Sequence, residues 1–322
     1  MSFFCLKTLT SSVQLNWKTK AILRHKGAIA MNKVMSNKAV IALYVLPALV
    51  LVMAVIYGPM LITGYYGLME WNGIGEMTFI GLENYKVLIQ DAKFWESAWH
   101  SFLLAIFSTI SLAGYLIVSL ILAGKIKGSN LLRKIYLIPM LLSSVAIAQL
   151  WVKIYDPNNG VLNSLLTSFG MENPPAWLAD TDLVLYAIFV AILWQYAGFY
   201  IIIYYAALKG IPEELIEAAR IDGANPVQIA YKIKVPLISG VIKVTIVLAI
   251  VGSLKYFDLI YVMTGGGPNG ASEVIASYMY KKAFDTFDFG YGSAIAFFLL
   301  IITLIVTWIT RKLTASEDEV QY

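Results

Sequence analysis

The stretch EAARIDGANPVQIAYKIKVP, Glu217–Pro236, is polar and punctuated, and it stands between two long apolar runs. Its residue order predicts two short helices joined by a bend. Pro212 suits a first helical turn, where a missing amide hydrogen is no loss, and Glu213, Glu214 and Glu217 favour the positive end of a helix. Gly223 suits a left-handed C-terminal cap. Asn225 is placed to cap a second helix whose first residue is Pro226, and Pro236 marks the start of the next apolar run. A helical hairpin between two lipid-suited segments decides the fold class: an all-α integral membrane chain that carries one polar device outside the bilayer.

Composition agrees. Hydrophobic residues make up 59% of the 322 and only 14% are charged, against about 25% in soluble domains; mean hydropathy is +0.72. Six apolar segments are each near the ~20 residues needed to cross a membrane: Val40–Tyr65, Ser101–Ala123, Ile135–Ile154, Leu183–Leu208, Leu237–Leu259 and Gly290–Thr310. Pro47, Pro59 and Pro139 fall inside them, where neighbouring helices can satisfy the freed carbonyls. The first segment is too long for a cleavable signal, and no small-residue cleavage site follows it. The single Cys5 excludes a disulfide framework, and His25 and His100 lie too far apart for a histidine cluster. Residues 1–37 read as a basic N-terminal extension, and residues 38–322 as one transmembrane domain with the hairpin at 211–236. Met1–Ala30 holds Lys7, Lys18, Lys20, Arg24 and Lys26 and no acid; it is an extension upstream of Met31 or a basic helix lying on anionic lipid.

Basic residues set the orientation. Lys86, Lys93, Lys153, Lys255, Lys281 and Lys282 are six of the 24; the others precede the first span, follow the second and fourth, or lie in the tail. Both termini and the hairpin are therefore expected inside the cell, in the cytoplasmic membrane. Trp71, Trp95, Trp99, Trp151 and Trp177 fall near the opposite boundary, as an aromatic belt does.

The hairpin resembles the EAA motif of binding-protein-dependent ABC importers, whose pattern is E-A-A, three residues, G, nine residues, then I-x-L-P. Here Glu217-Ala218-Ala219 is followed after three residues by Gly223, and after nine more by Ile233-Lys234-Val235-Pro236, with valine in place of leucine. GLENYKVLIQDAKFWESAWHS (Gly81–Ser101) looks like the opening segment of sugar-importer permeases. YFDLIYVMTGGGPNGASEV (Tyr256–Val274) looks like the end of span five and the outer loop of the larger of their two permease types. The resemblance, over roughly Val40–Thr310, implies a type I importer permease of six transmembrane helices, of the maltose, glycerol-phosphate or multiple-sugar kind. It implies that the hairpin is a coupling helix, with Leu215, Glu217, Ala218, Ala219, Asp222 and Gly223 docking on an ATPase. It also implies the partners: a second homologous permease, two cytoplasmic ATPase subunits, an extracellular or lipid-anchored sugar-binding protein, and membrane lipid, with no nucleic acid. No G-x-x-x-x-G-K-[ST] phosphate loop occurs in this chain. ATP and magnesium are therefore expected on a separate ATPase, with no cofactor held here and no catalytic or metal-binding residue.

A sugar needs hydrogen-bond partners for its hydroxyls and flat apolar surfaces for its C–H faces. Ser143 and Ser144 after Pro139, Trp194, Gln195, Tyr196 and Phe199 in span four, and Gly252, Ser253 and Tyr256 in span five are the candidates for a substrate path. Lys255 and Asp258, three apart, are expected to share a helix face as a structural pair. The scarcity of charge in the spans favours a neutral solute. It also argues against the alternative, an ATP-independent secondary carrier or channel, which commonly uses intramembrane carboxylates or broken helices. An intramembrane protease is disfavoured because His100, its one candidate base, sits at a span edge.

Overall fold

A computed structural model describes residues 38–124 and 127–314; the basic extension expected at residues 1–37 lies outside the described residues. The chain divides into two compact units between Ile62 and Thr63. Helix α1 (Lys38–Val52) runs through a π turn at Met53–Tyr57 into α2 (Gly58–Tyr66), within which that division falls. Pro47 lies inside α1, and the Gly58 amide reaches back to the Met53 carbonyl just before Pro59, which has no amide to offer.

After α2 the second unit continues with a two-stranded antiparallel ribbon, β1 (Met69–Glu70) and β2 (Thr78–Phe79), and a short helix α3 (Glu83–Gln90). Then come α4 (Ala92–Ala123), α5 (Ser129–Leu141), α6 (Ser144–Ile154), α7 (Val161–Ser168) and α8 (Val184–Lys209). The hairpin supplies α9 (Glu213–Ile221) and α10 (Pro226–Ile229), which runs through a π turn (Ala230–Lys234) into α11 (Val235–Leu237). Helices α12 (Ser239–Leu254), α13 (Asp258–Thr264), α14 (Ile275–Tyr280) and α15 (Phe289–Thr314) complete it.

Helix α4 is the centre post, packed against α8 and α12, while α5 lies along α8 and α15 against α12. Lipid tails give helices no hydrophobic reason to associate, so close backbone approach has to supply the contact. Small residues provide it. Ser97, Ser101, Ser108 and Ser119 are buried down α4, and the Ser119 hydroxyl donates to the Tyr115 and Ile201 carbonyls at 2.7 and 3.0 Å. Gly198 of α8 sits so near α5 that a methyl group there would stand 2.1 Å from the Tyr136 carbonyl oxygen.

Among the described residues, five helical stretches are long and apolar enough to cross a membrane: Lys38–Tyr66, Ala92–Ala123, Val184–Lys209, Ser239–Thr264 and Phe289–Leu313. Ser129–Leu141 and Ser144–Ile154 make a sixth if taken as one bent span. Three expectations need correction. Span two starts at Ala92, not Ser101, because Asp91 caps it, accepting from the amides of Lys93 and Phe94. Span three is not one helix: α5 and α6 meet at 100°. Leu142 is extended there, and the Ser143 side chain accepts from the Ala146 amide at 3.2 Å, starting a new helix. Span five reaches Thr264 but is interrupted after Leu254, so Lys255 and Asp258 do not share one helical face.

Candidate functional site

The hairpin is built from caps. Helix α9 ends in a Schellman motif: Gly223 takes φ +82°, its amide reaches Arg220 O at 3.1 Å, and the Ala224 amide reaches Ala219 O at 2.9 Å. Only glycine holds that backbone without strain. Asn225 and Gln228 then form a reciprocal capping box, each side chain accepting from the other's amide at 2.8 Å. Pro226 is the first residue of α10, as expected; Pro212 precedes α9 as its N-cap rather than entering its first turn. Two helices that are too short to be stable alone are thus locked at a fixed angle.

Ala219 is buried, 8% exposed. It lies apart from Ala218, which is exposed. The outer face carries Leu215, Glu217, Ala218 and Asp222, with Ile221 at 87% exposure, and Val227 and Tyr231 follow on the second arm. Beneath it, burial pushes the Lys234 ammonium below its usual range, and nearby Lys209 and Arg220 add to the effect. Further into the bundle the buried hydroxyls of Tyr204 and Thr245 lie 2.6 Å apart. They tie α8 to α12, the two helices that the hairpin joins.

The second feature is a cavity of about 300 Å³ where the two helix breaks meet. Ser144 opens α6 just after the α5 bend; Lys255, Tyr256 and Phe257 form the break before α13. Gln195 and Tyr196 come from α8, Gly252 from α12, and Asp258 and Leu259 from α13. Non-helical backbone at membrane depth is tolerated where it is buried in protein or lines a cavity, and here both breaks do so. Gln195 is 5% exposed. Its amide nitrogen donates to the Ser144 hydroxyl at 3.2 Å, while its Oε1 has no partner. The Tyr196 and Tyr256 rings stand 5.9 Å apart, tilted by 40°.

Residues 115–316 match the family of binding-protein-dependent transport system inner membrane components. The chain belongs to this family. A probable ABC transporter permease of Pyrococcus horikoshii is 38% identical over 83% of this chain and 92% of that protein. The trehalose/maltose transport system permease MalF of Thermococcus litoralis is 33% identical over 84% and 92%. The xylose/arabinose import permease XacH of Haloferax volcanii is 33% identical over 79% and 81%. The fold matches a chain of a bacterial alginate ABC transporter with a TM-score of 0.77, at 22% identity, over 88% of this chain and 98% of that one. This permease is therefore a multi-pass membrane subunit of an ABC importer. It is a transport subunit, not an enzyme, and it works with partner subunits.

Of the nine substrate-path candidates, the permease brings Ser144, Gln195, Tyr196, Gly252 and Tyr256 to one cavity. The other four are occupied elsewhere. Ser143 is a helix cap, and Ser253 is buried and donates to Ala249 O at 2.7 Å. Trp194 packs edge-on against Trp151 with centroids 5.9 Å apart, and Phe199 packs against Tyr200 at 5.1 Å. The sequence reading missed Lys255, Phe257, Asp258 and Leu259 as walls. A charged pair in a span was the available signal, and i, i+3 spacing read it as self-satisfied.

Proposed function

We propose that this permease carries a neutral sugar or oligosaccharide, delivered by an extracellular or lipid-anchored binding protein, through a pathway shared with a second, homologous permease. Two cytoplasmic ATPase subunits, which hold the ATP and magnesium, supply the work. The observation that carries this reading is the capped hairpin with its exposed apolar face of Leu215, Ile221 and Val227. An apolar face outside the bilayer needs a protein surface to cover it, and rigid caps transmit a push without bending. The hairpin passes displacement to α8 and α12 together through Tyr204 and Thr245, and those helices carry Gln195, Tyr196 and Gly252 to the cavity about 13 Å further along α8. Named relatives are permeases for trehalose/maltose and for xylose/arabinose, which supports a sugar as cargo.

The test is uptake in cells that hold the complete importer. Glu217→Lys, which reverses a charge on the exposed face, is expected to abolish ATP-dependent uptake while the protein stays in the membrane at normal abundance. Undiminished uptake by that variant, or wild-type uptake that survives ATP depletion, overturns the coupling role.

A further inference from the structure

We propose that Lys255 and Asp258 are the residues that set the charge selectivity of the cavity, holding it for an uncharged polyhydroxyl solute; this rests on the sugar-import reading above. A charge inside an apolar span is costly and is functional by default when it faces a cavity. Span five holds three charged residues within 26, Lys243, Lys255 and Asp258, and the last two line the cavity. The bland role for them is to neutralise each other. The interruption at Lys255–Phe257 takes them off one helical face and leaves them without a direct ion pair, so the cavity wall presents both charges. Among the described residues the ion pairs are Lys86 with Glu83 and Lys281 with Glu273. Neither Lys255 nor Asp258 is paired in that way.

The balance of donors and acceptors then names the ligand class. Asp258 offers two acceptor oxygens, and the unpartnered Gln195 Oε1, on a side chain 95% buried, offers a third. Lys255 offers donors, and the hydroxyls of Ser144, Tyr196 and Tyr256 serve as either. A solute with several hydroxyl donors and a few ether or hydroxyl acceptors satisfies all of them. A carboxylate solute gains from Lys255 but brings its acceptors against the Asp258 carboxylate and the unpartnered Gln195 Oε1. A cation gains from Asp258 and is repelled by Lys255. The two tyrosine rings give the C–H face of a sugar an apolar surface.

The experiment uses membranes that contain the complete importer, supplied with a mixture of labelled xylose, glucose, maltose and trehalose, with glucuronate as competitor. The wild type is expected to take up at least one neutral sugar and to ignore glucuronate. Asp258→Asn and Lys255→Gln are each expected to raise the KM for that sugar about tenfold or more, the effect of losing a charged hydrogen bond. Membrane abundance should stay at the wild-type level. Asp258→Asn, which leaves Lys255 unopposed, should in addition make uptake sensitive to glucuronate. If both variants keep the wild-type KM and indifference to glucuronate while Glu217→Lys abolishes uptake, the charge-selectivity proposal is wrong and the importer reading stands. If the wild type takes up no neutral sugar, both fall. Should Asp258→Asn fail to assemble, an unchanged KM in Lys255→Gln alone suffices to reject the proposal.

Discussion

Two glycines show how much of this permease depends on the absence of a side chain. Gly223 was readable from the sequence because a lone glycine between two polar helical patterns marks a left-handed cap, and the backbone obeys. Gly198 was not, since a glycine within WQYAGFYIIIYY carries no local sign of what approaches it; the neighbour lies on α5, some sixty residues away. Alanine at 198 would place its Cβ 2.1 Å from Tyr136 O and 2.7 Å from Tyr136 C, main-chain atoms that cannot turn aside. Gly198→Ala is therefore expected to destabilise the protein by about 1–3 kcal/mol, the usual cost of overpacking. Gly114→Ala, whose Cβ would meet nothing within 4 Å, should be neutral or stabilising. Thermal unfolding of the two variants in detergent distinguishes them; equal midpoints would mean that α5 and α8 are not in backbone contact.

At the scale of the element, the decisive features are the ends and breaks of helices, and they divide into those with a chemical signature and those without. Asn225-Pro226 announces a start and was legible. The α5 bend was half legible: Pro139 warned of it, but the cap by Ser143 depends on Leu142 becoming extended. The break at Lys255-Tyr256-Phe257 contains neither proline nor glycine, so nothing in the local chemistry predicts it; it is held by tertiary packing, α13 lying against α6 and α8. The start of α4 is a fourth case. Asp91 caps it and also accepts the hydroxyls of Tyr278, from α14, and Tyr291, from α15 at 2.6 Å. Burial raises the Asp91 carboxyl, but the hydroxyls of Tyr278 and Tyr291 and the amides of Phe94 and Lys93 outweigh it and hold the carboxyl below its usual range. A depressed carboxyl stabilises the fold above its unfolded pKa, near 3.9, and the contribution is lost as pH falls through the folded value. Asp91→Ala is thus expected to cost about 1–2 kcal/mol at neutral pH, as lost caps do, and the gap from wild type should close below about pH 4. Stability curves at pH 7 and in acid would show this; a gap that persists unchanged in acid would mean that the carboxylate charge is not what joins the three helices.

For the whole molecule, the remaining question is which way the bundle faces, because a coupling hairpin has a meaning on only one side of a membrane. The end of α4, the start of α5 and the hairpin lie on one side and, by alternation of spans, Tyr155–Leu183 lies on the other. Charge separates them sharply: the hairpin turn carries Lys209, Arg220, Lys232 and Lys234, whereas 155–183 carries Asp156, Glu172, Asp180 and Asp182 with no basic residue. Retention of lysine and arginine in the cytoplasm therefore predicts Ile221 inside and Asn158 outside, both of them exposed. Cys5 is the one native thiol, so a Cys5→Ser background allows a single probe at each position. Ile221→Cys should react with a membrane-impermeant maleimide only in inside-out vesicles, and Asn158→Cys only in intact cells. The reverse pattern would expose Leu215, Ile221 and Val227 to a compartment without ATP. No nucleotide-driven partner could then seat on them, and the tie from the hairpin through Tyr204 and Thr245 to the cavity would have nothing to transmit.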